Sequence, residues 1–136
     1  MLVLSRSQYD ALVDHAREGA PEEVCGMLSG SRSDDVATVE RVDRVANVAD
    51  ASRVTYTLDP EEQLSVMDDV EAAGDEVVGF YHSHPAGPPR PSETDAAQAA
   101  WPGYTYVIVS LDGAEPFVGA WRWDGTEFQR EDVRVR

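Results

Sequence analysis

Apolar positions along the chain switch between a helical period and a strict two-residue period, and the switches divide it into elements. Tyr9, Leu12, Val13 and Ala16 share one face of a helix over 5–18, with Ser5 and Gln8 at capping-box spacing and Gly19 and Pro21 as stop signals. Glu23 to Ser29 alternates, then meets Gly30 and a polar turn through Asp35, which predicts a hairpin into 36–45. Val54–Leu58 reads as a short strand. Asp59 then stands as N-cap with Pro60 in the first helical position; Leu64, Met67 and Val70 supply that helix's buried face, and Gly74 ends it. Val77 to His84 reads as a buried strand halted by Pro85. Pro85, Pro88, Pro89 and Pro91 make the next stretch a stiff loop, and Ser92 opens a short helix toward Ala100. Tyr104–Leu111 and Phe117–Trp123 are strands, and Asp124-Gly125 is a hairpin turn into a last strand over 127–135. This order predicts an α/β (α+β) layer structure: a mostly antiparallel mixed sheet flanked by about three helices.

A chain of 136 residues fits one domain, 1–136, and can bury about two-thirds of its unfolded surface. Its 11 basic and 26 acidic residues leave a net charge of -15, which argues against nucleic-acid or anionic-membrane partners, since both require a cationic footprint. Every basic residue is arginine; there is no lysine. Acid excess without lysine fits a proteome living at very high salt, where the screening length falls to about 3 Å and surplus charge costs little. A GC-rich genome with ordinary acidity gives the same lysine depletion. The lone Cys25 excludes an internal disulfide and a multi-cysteine zinc finger. Met1-Leu2-Val3-Leu4 is too short an apolar run for a signal peptide, and Gln98, Pro102 and Gly103 interrupt the one long uncharged stretch. These readings predict a soluble, cytoplasmic protein.

The candidate chemistry lies in His82-Ser83-His84, followed by Ser92-Glu93-Thr94-Asp95. Alternation puts Phe80, His82 and His84 on one strand face, with the two imidazoles separated by about 6.6 Å at the backbone. Both rings can lean to one ion, and the proline loop can return Asp95 to add a carboxylate. Two imidazoles and a carboxylate favour zinc and leave a fourth position for water, which makes a hydrolytic site. Ser92 and Asp95 also form a Ser-x-x-Asp capping box, which alone accounts for that pair. The third histidine, His15, lies among charged residues on the first helix and reads as a surface residue.

His82-Ser83-His84-Pro85, the seven residues to Ser92, and Asp95 resemble the JAMM motif of the MPN+ metalloproteases. Pro21-Glu22-Glu23-Val24-Cys25-Gly26-Met27-Leu28 resembles the same family's Pro-x-Glu-x-Cys-Gly-x-Leu stretch, and the approach strand Val77–Tyr81 and the element order extend the likeness. The resemblance implies a cytidine-deaminase-like MPN/JAMM fold. By position, His82, His84 and Asp95 resemble the zinc ligands, and Glu23 resembles the glutamate that takes a proton from the zinc water and delivers it to the leaving amine. Glu22 competes for that part, although alignment on Pro21 favours Glu23. Ser92 resembles the hydroxyl that stabilises the oxyanion, and Cys25 reads as a small core residue rather than a nucleophile.

The family removes ubiquitin-like proteins from lysine side chains by hydrolysing the bond after a terminal Gly-Gly. Together with the halophile-like composition, the resemblance is greatest to the archaeal desampylases, whose substrates are small ubiquitin-like modifier proteins and their lysine conjugates. An extended Gly-Gly tail can add to a sheet edge, and the short stretch after Asp95 leaves little room for insertions that select an acceptor. Two other readings remain open. One is a sulfur-metabolism peptidase that trims a sulfur-carrier protein. The other is a non-catalytic interaction domain in which Glu23 closes a structural zinc site as a fourth ligand.

Overall fold

The computed structural model describes residues 1–136. Its elements are β1 (Leu2–Leu4), α1 (Arg6–Gly19), β2 (Cys25–Ser33), β3 (Val36–Val45), α2 (Pro60–Ala72), β4 (Glu76–His84), α3 (Glu93–Gln98), β5 (Thr105–Ser110), β6 (Phe117–Trp123), β7 (Phe128–Glu131) and β8 (Val133–Val135). The strands form one sheet in the order β7-β6-β5-β4-β2-β3-β1-β8. β1 runs parallel to β3 and β8, and β4 parallel to β5. The other pairs are antiparallel, which gives the mixed, mostly antiparallel sheet that the pattern predicts.

Short-range chemistry starts and stops the helices. Ser5 Oγ accepts the Gln8 N–H at 3.1 Å while Gln8 Oε1 accepts the Ser5 N–H at 2.8 Å, closing the predicted capping box. Asp59 accepts the Glu61 N–H at 2.9 Å, with Pro60 in the first turn of α2. Gly74, at φ +79, makes the left-handed turn beyond that helix. In the β6–β7 hairpin, Asp124 Oδ1 accepts the N–H groups of Thr126 and Glu127 at 2.8 Å each.

Each face of the sheet has its own cluster. Leu12, Val13 and Ala16 of α1 pack with Leu28, Val39, Tyr81, Val107 and Ala120. On the other face Met27, Val45, Phe80, Tyr106 and Trp123 form a second cluster, joined by Val66 and Met67 of α2 and Ala96 of α3. Burying each large apolar side chain contributes about 1.5–3 kcal/mol, so both layers stiffen β4 between them.

One strand has no reading in the sequence, and three local readings differ from the structure. The apolar start forms β1, whose Leu2 and Leu4 are fully buried. The last strand breaks at Asp132: β7 pairs with β6, whereas β8 crosses to pair with β1. Val54–Leu58 is not a strand; it makes one bridge, between Leu58 and Asn47, and Val54 is exposed. On α2, Leu64 is 61% exposed, because Val66, Met67 and Val70 set the inward face one step further round. β7 and β8 end the strand order, and β3 beyond Thr38 has a strand partner only on its β2 side. β4 is interior, paired with β2 and β5, so an extended tail cannot add as a strand beside it. No helix is long and apolar enough to cross a membrane.

Candidate metal centre

β4 delivers the two imidazoles to the face that also carries Phe80, while Tyr81 and Ser83 turn to the opposite face. The antiparallel register sets Cys25 of β2 opposite His82. Pairing continues beyond β2, because Ser83 N–H donates to the Val24 carbonyl at 3.0 Å and Val24 N–H donates to Ser83 Oγ at 2.8 Å. The next residue back, Glu23, is thereby carried to the histidine pair, and the reactive oxygens and nitrogens of Glu23, His82 and His84 lie within 4.8 Å of one another. Pro85 ends the strand region, and the loop returns the chain to α3. There Ser92 N–H donates to Asp95 Oδ2 at 2.9 Å, and Asp95 N–H donates to Ser92 Oγ at 3.0 Å. The capping box thus aims the Asp95 carboxylate.

The result is a triangle whose third corner is shared by the two oxygens of the Asp95 carboxylate. His82 Nε2 and His84 Nε2 are 3.1 Å apart, His82 Nε2 lies 3.1 Å from Asp95 Oδ1, and His84 Nε2 lies 3.0 Å from Asp95 Oδ2. Ligands at 2.0–2.1 Å from a tetrahedral ion are spaced by about 3.3 Å, so the three donors already approximate one face of such a site. Their chemistry leads to the same conclusion. His84 Nδ1–H donates to the Pro88 carbonyl at 2.9 Å, which turns the Nε2 lone pair toward Asp95 and His82. Two imidazole nitrogens and a carboxylate held this close need shared protons or a metal cation between them. The donor set therefore fits a metal ion.

All four groups are buried. Burial alone would raise the Asp95 pKa, but the hydrogen bonds to His82 and His84 hold it well below the usual carboxylate range. Burial lowers His82, which favours its neutral, ligating form. For His84, burial also pulls downward, yet Asp95 and the Pro88 carbonyl prevail and raise it: without an ion, a proton fills the gap. Burial pushes Glu23 up to about 7; His84 opposes the shift and Asp95 adds to it. Glu23 Oε1 and His82 Nδ1 are buried without a hydrogen-bond partner. A buried polar atom left unpaired costs about 1–3 kcal/mol; Glu23 Oε1 belongs to the carboxyl beside the centre, whereas His82 Nδ1 is the ring nitrogen that does not face it.

A cleft of about 250 Å³ opens over Glu23, His84 and Ser92, with Arg53 and Val54 at its rim. A larger cavity of about 450 Å³ adjoins it, lined by Tyr56, Leu58, Phe80, Trp101 and Tyr106 among others. Tyr56 belongs to its wall and stacks on His82, with ring centroids 4.3 Å apart. The motif pattern does not reveal Tyr56, since the contact exists only once residues 46–59 have folded over β4. Asn47, also missed, holds that segment: its Nδ2 donates to the Glu23 and Thr55 carbonyls at 3.0 and 3.1 Å, and its Oδ1 accepts from Ala49 and Thr57, both at 3.0 Å.

The structure separates the rival residues. Glu23 is buried beside the histidines, whereas Glu22 is exposed. Cys25 is fully buried, and burial pushes its thiol up to about 12, as expected of a packing residue. Trp121 and Trp123 are core residues, while Trp101 is 37% exposed. His15 is not a surface residue. It is half-buried, Nδ1 lies 2.7 Å from the Tyr81 hydroxyl, and burial, followed by the charge of Arg44, lowers its pKa to about 4. Of the charged sequence neighbours that suggested exposure, Glu18 lies one turn on and pairs with Arg44, and both charges act on His15.

Residues 5–124 match the family model for prokaryotic homologs of the JAB domain. The chain belongs to this family. Among curated JAB-type relatives, it is 48% identical to the desampylase of Haloferax volcanii, over 98% of this chain and 96% of that protein. It is 40% identical to the CysO-cysteine peptidase of Mycobacterium tuberculosis, over 81% of this chain and 73% of that protein. A solution structure of a protein from Desulfitobacterium hafniense superposes with a TM-score of 0.91 at 34% identity, covering 100% of this chain and 93% of that one.

Proposed function

We propose that this JAB protein is a zinc-dependent isopeptidase that hydrolyses the bond after the C-terminal Gly-Gly of small ubiquitin-like modifier proteins, freeing the lysine side chains of their conjugates. The observation that carries this reading is a buried Glu23 carboxyl standing beside two imidazoles and a carboxylate at ligand spacing. The name and near-full-length match of the Haloferax relative support the substrate class. His82, His84 and Asp95 hold the zinc ion. When bound, zinc supplies Lewis acidity, polarising the scissile carbonyl and lowering the pKa of water.

Glu23 takes the proton of the attacking water and passes it to the leaving amine as the C–N bond breaks. Burial raises the carboxyl's hold on a proton and a zinc ion beside it would offset that rise, so the group can both take a proton and give it back. Ser92 uses an acceptor lone pair for its cap and keeps its O–H to donate to the carbonyl oxygen as negative charge develops there. The full 136 residues act as one cytoplasmic domain, and the charge of -15 suits it to molar salt.

The Mycobacterium relative favours a second reading, removal of an amino acid from the C-terminus of a sulfur-carrier protein. Incubation in molar salt with a Gly-Gly–lysine isopeptide conjugate and with a linear Gly-Gly-Cys tail separates the two. Preferential cleavage of the isopeptide, its loss on chelation and its return with zinc are expected, with the chelated protein still folded. Exclusive cleavage of the linear tail supports the second reading. Melting on chelation, with no cleavage of either substrate, identifies a structural ion instead.

A further inference from the structure

The two histidines of the centre are held by different means. His84 has a hydrogen bond behind it: Nδ1 donates to the Pro88 carbonyl at 2.9 Å, which fixes both its tautomer and the rotation of its ring. His82 has none, because its Nδ1 is buried and unpartnered. Its Cβ is fixed by β4, but rotation about the Cβ–ring bond is broad for an imidazole unless something bounds it. The ring meets one aromatic face. Tyr56 lies against it with centroids 4.3 Å apart and planes inclined by 20°. His84 touches His82 edge-on, at 62°, and offers no parallel wall.

Tyr56 is itself firmly placed. Both its neighbours in sequence are tied to Asn47: the Thr55 carbonyl accepts from Asn47 Nδ2, and the Thr57 N–H donates to Asn47 Oδ1. The same Nδ2 donates to the carbonyl of Glu23. One amide side chain thus sets the backbone on either side of the stacking tyrosine together with that of the buried acid. Val48 N–H, donating to the Thr57 carbonyl at 2.9 Å, closes the turn.

We propose that Tyr56 is a positioning residue for His82, its ring face doing for that imidazole what the Pro88 carbonyl does for His84. The contribution comes from the face of the ring and not from the hydroxyl, which makes no hydrogen bond to the centre. Loss of the wall frees the imidazole to rotate away from the triangle, so metal affinity falls while the fold remains. The inference rests on the metal-centre reading above.

The test measures zinc affinity by competition with a chromophoric chelator, in molar salt, for wild type, Tyr56→Phe and Tyr56→Leu. Melting of the metal-free proteins serves as the folding control. Wild-type and Tyr56→Phe affinities agree within about twofold, and Tyr56→Leu loses about 10-fold or more, the range typical of residues that orient a ligating histidine. Cobalt provides a second readout: the visible bands of the Tyr56→Leu complex differ from those of wild type, and those of Tyr56→Phe do not. Equal affinity and equal bands for Tyr56→Leu and wild type overturn the proposal, as does an equal loss in Tyr56→Phe. If Tyr56→Leu fails to fold, Tyr56→Met takes its place in the same comparison. Failure of wild type to bind zinc or cobalt overturns the centre itself, a distinct result.

Discussion

Tyr81 and His82 are neighbours on β4 that face opposite sides of the sheet, and the two sides treat buried polarity in opposite ways. On the α1 side, Tyr81 meets His15 in a single 2.7 Å hydrogen bond, apolar side chains pack around Tyr81, and burial, followed by the charge of Arg44, keeps the imidazole neutral. On the other side, two imidazoles and a carboxylate crowd within 3.1 Å, a second carboxyl stands close by, and two buried polar atoms have no partner. The first arrangement is satisfied and adds stability. The second leaves polar atoms crowded and partly unpaired, a kind of cluster that concentrates at functional sites.

The largest effect expected from this contrast separates the faces by mutation. Glu23→Ala retains zinc and lowers kcat by about a thousandfold or more, as loss of a general base does. Tyr81→Phe, one strand position from a proposed ligand, leaves kcat within about twofold and lowers stability by about 1 kcal/mol. Zinc content, turnover and denaturant midpoints of the two variants check this. Comparable loss of turnover in both variants would show that the faces are not independent.

A smaller effect appears in the pH dependence of the metal-free protein, where the faces have opposite signs. His15 has a folded pKa of about 4 against 6.5 unfolded, so the unfolded chain binds more protons between those values and stability falls as pH drops through that window. Glu23 has a folded pKa of about 7 against 4.5, so the folded chain binds more protons there and stability falls as pH rises from 4.5 to 7. Each slope reaches about 1 kcal/mol per pH unit at most. Relative to wild type, Glu23→Gln gains stability as pH rises across its window, and the deficit of His15→Gln shrinks as pH falls across its own. Thermal melts of metal-free protein at several pH values check both signs; a shared sign would refute the environment assigned to one of the two.

These contrasts also show where sequence reading succeeds. Caps and turns are chemistry between near neighbours, so Ser5 with Gln8, Asp59 with Pro60, Ser92 with Asp95 and Asp124-Gly125 could all be recognised locally. The two histidines follow from alternation and Asp95 from the return of the proline loop, whereas motif resemblance brought Glu23 to them. The misplaced parts depend on distant partners. β1 is three residues long and exists through pairing with β3 and β8. Val54–Leu58 alternates like a strand but finds only the Asn47 bridge. Leu64 lies on a face of α2 whose rotation is set by Val66 and Met67 against Phe80 and its neighbours. His15 looks solvated until Tyr81, far along the chain, supplies its partner. Tyr56 offers no local signal, because its significance is a contact with His82 across the fold.

The central claim is that the ion is gripped by three residues and that Glu23 stands outside the grip. A zinc-edge anomalous difference map of zinc-loaded crystals tests it most directly. The account predicts one peak about 2.0–2.1 Å from His82 Nε2, His84 Nε2 and an Asp95 oxygen, with Glu23 not bonded to the ion. A peak bonded to the Glu23 carboxylate, or no peak between the imidazoles, would contradict it.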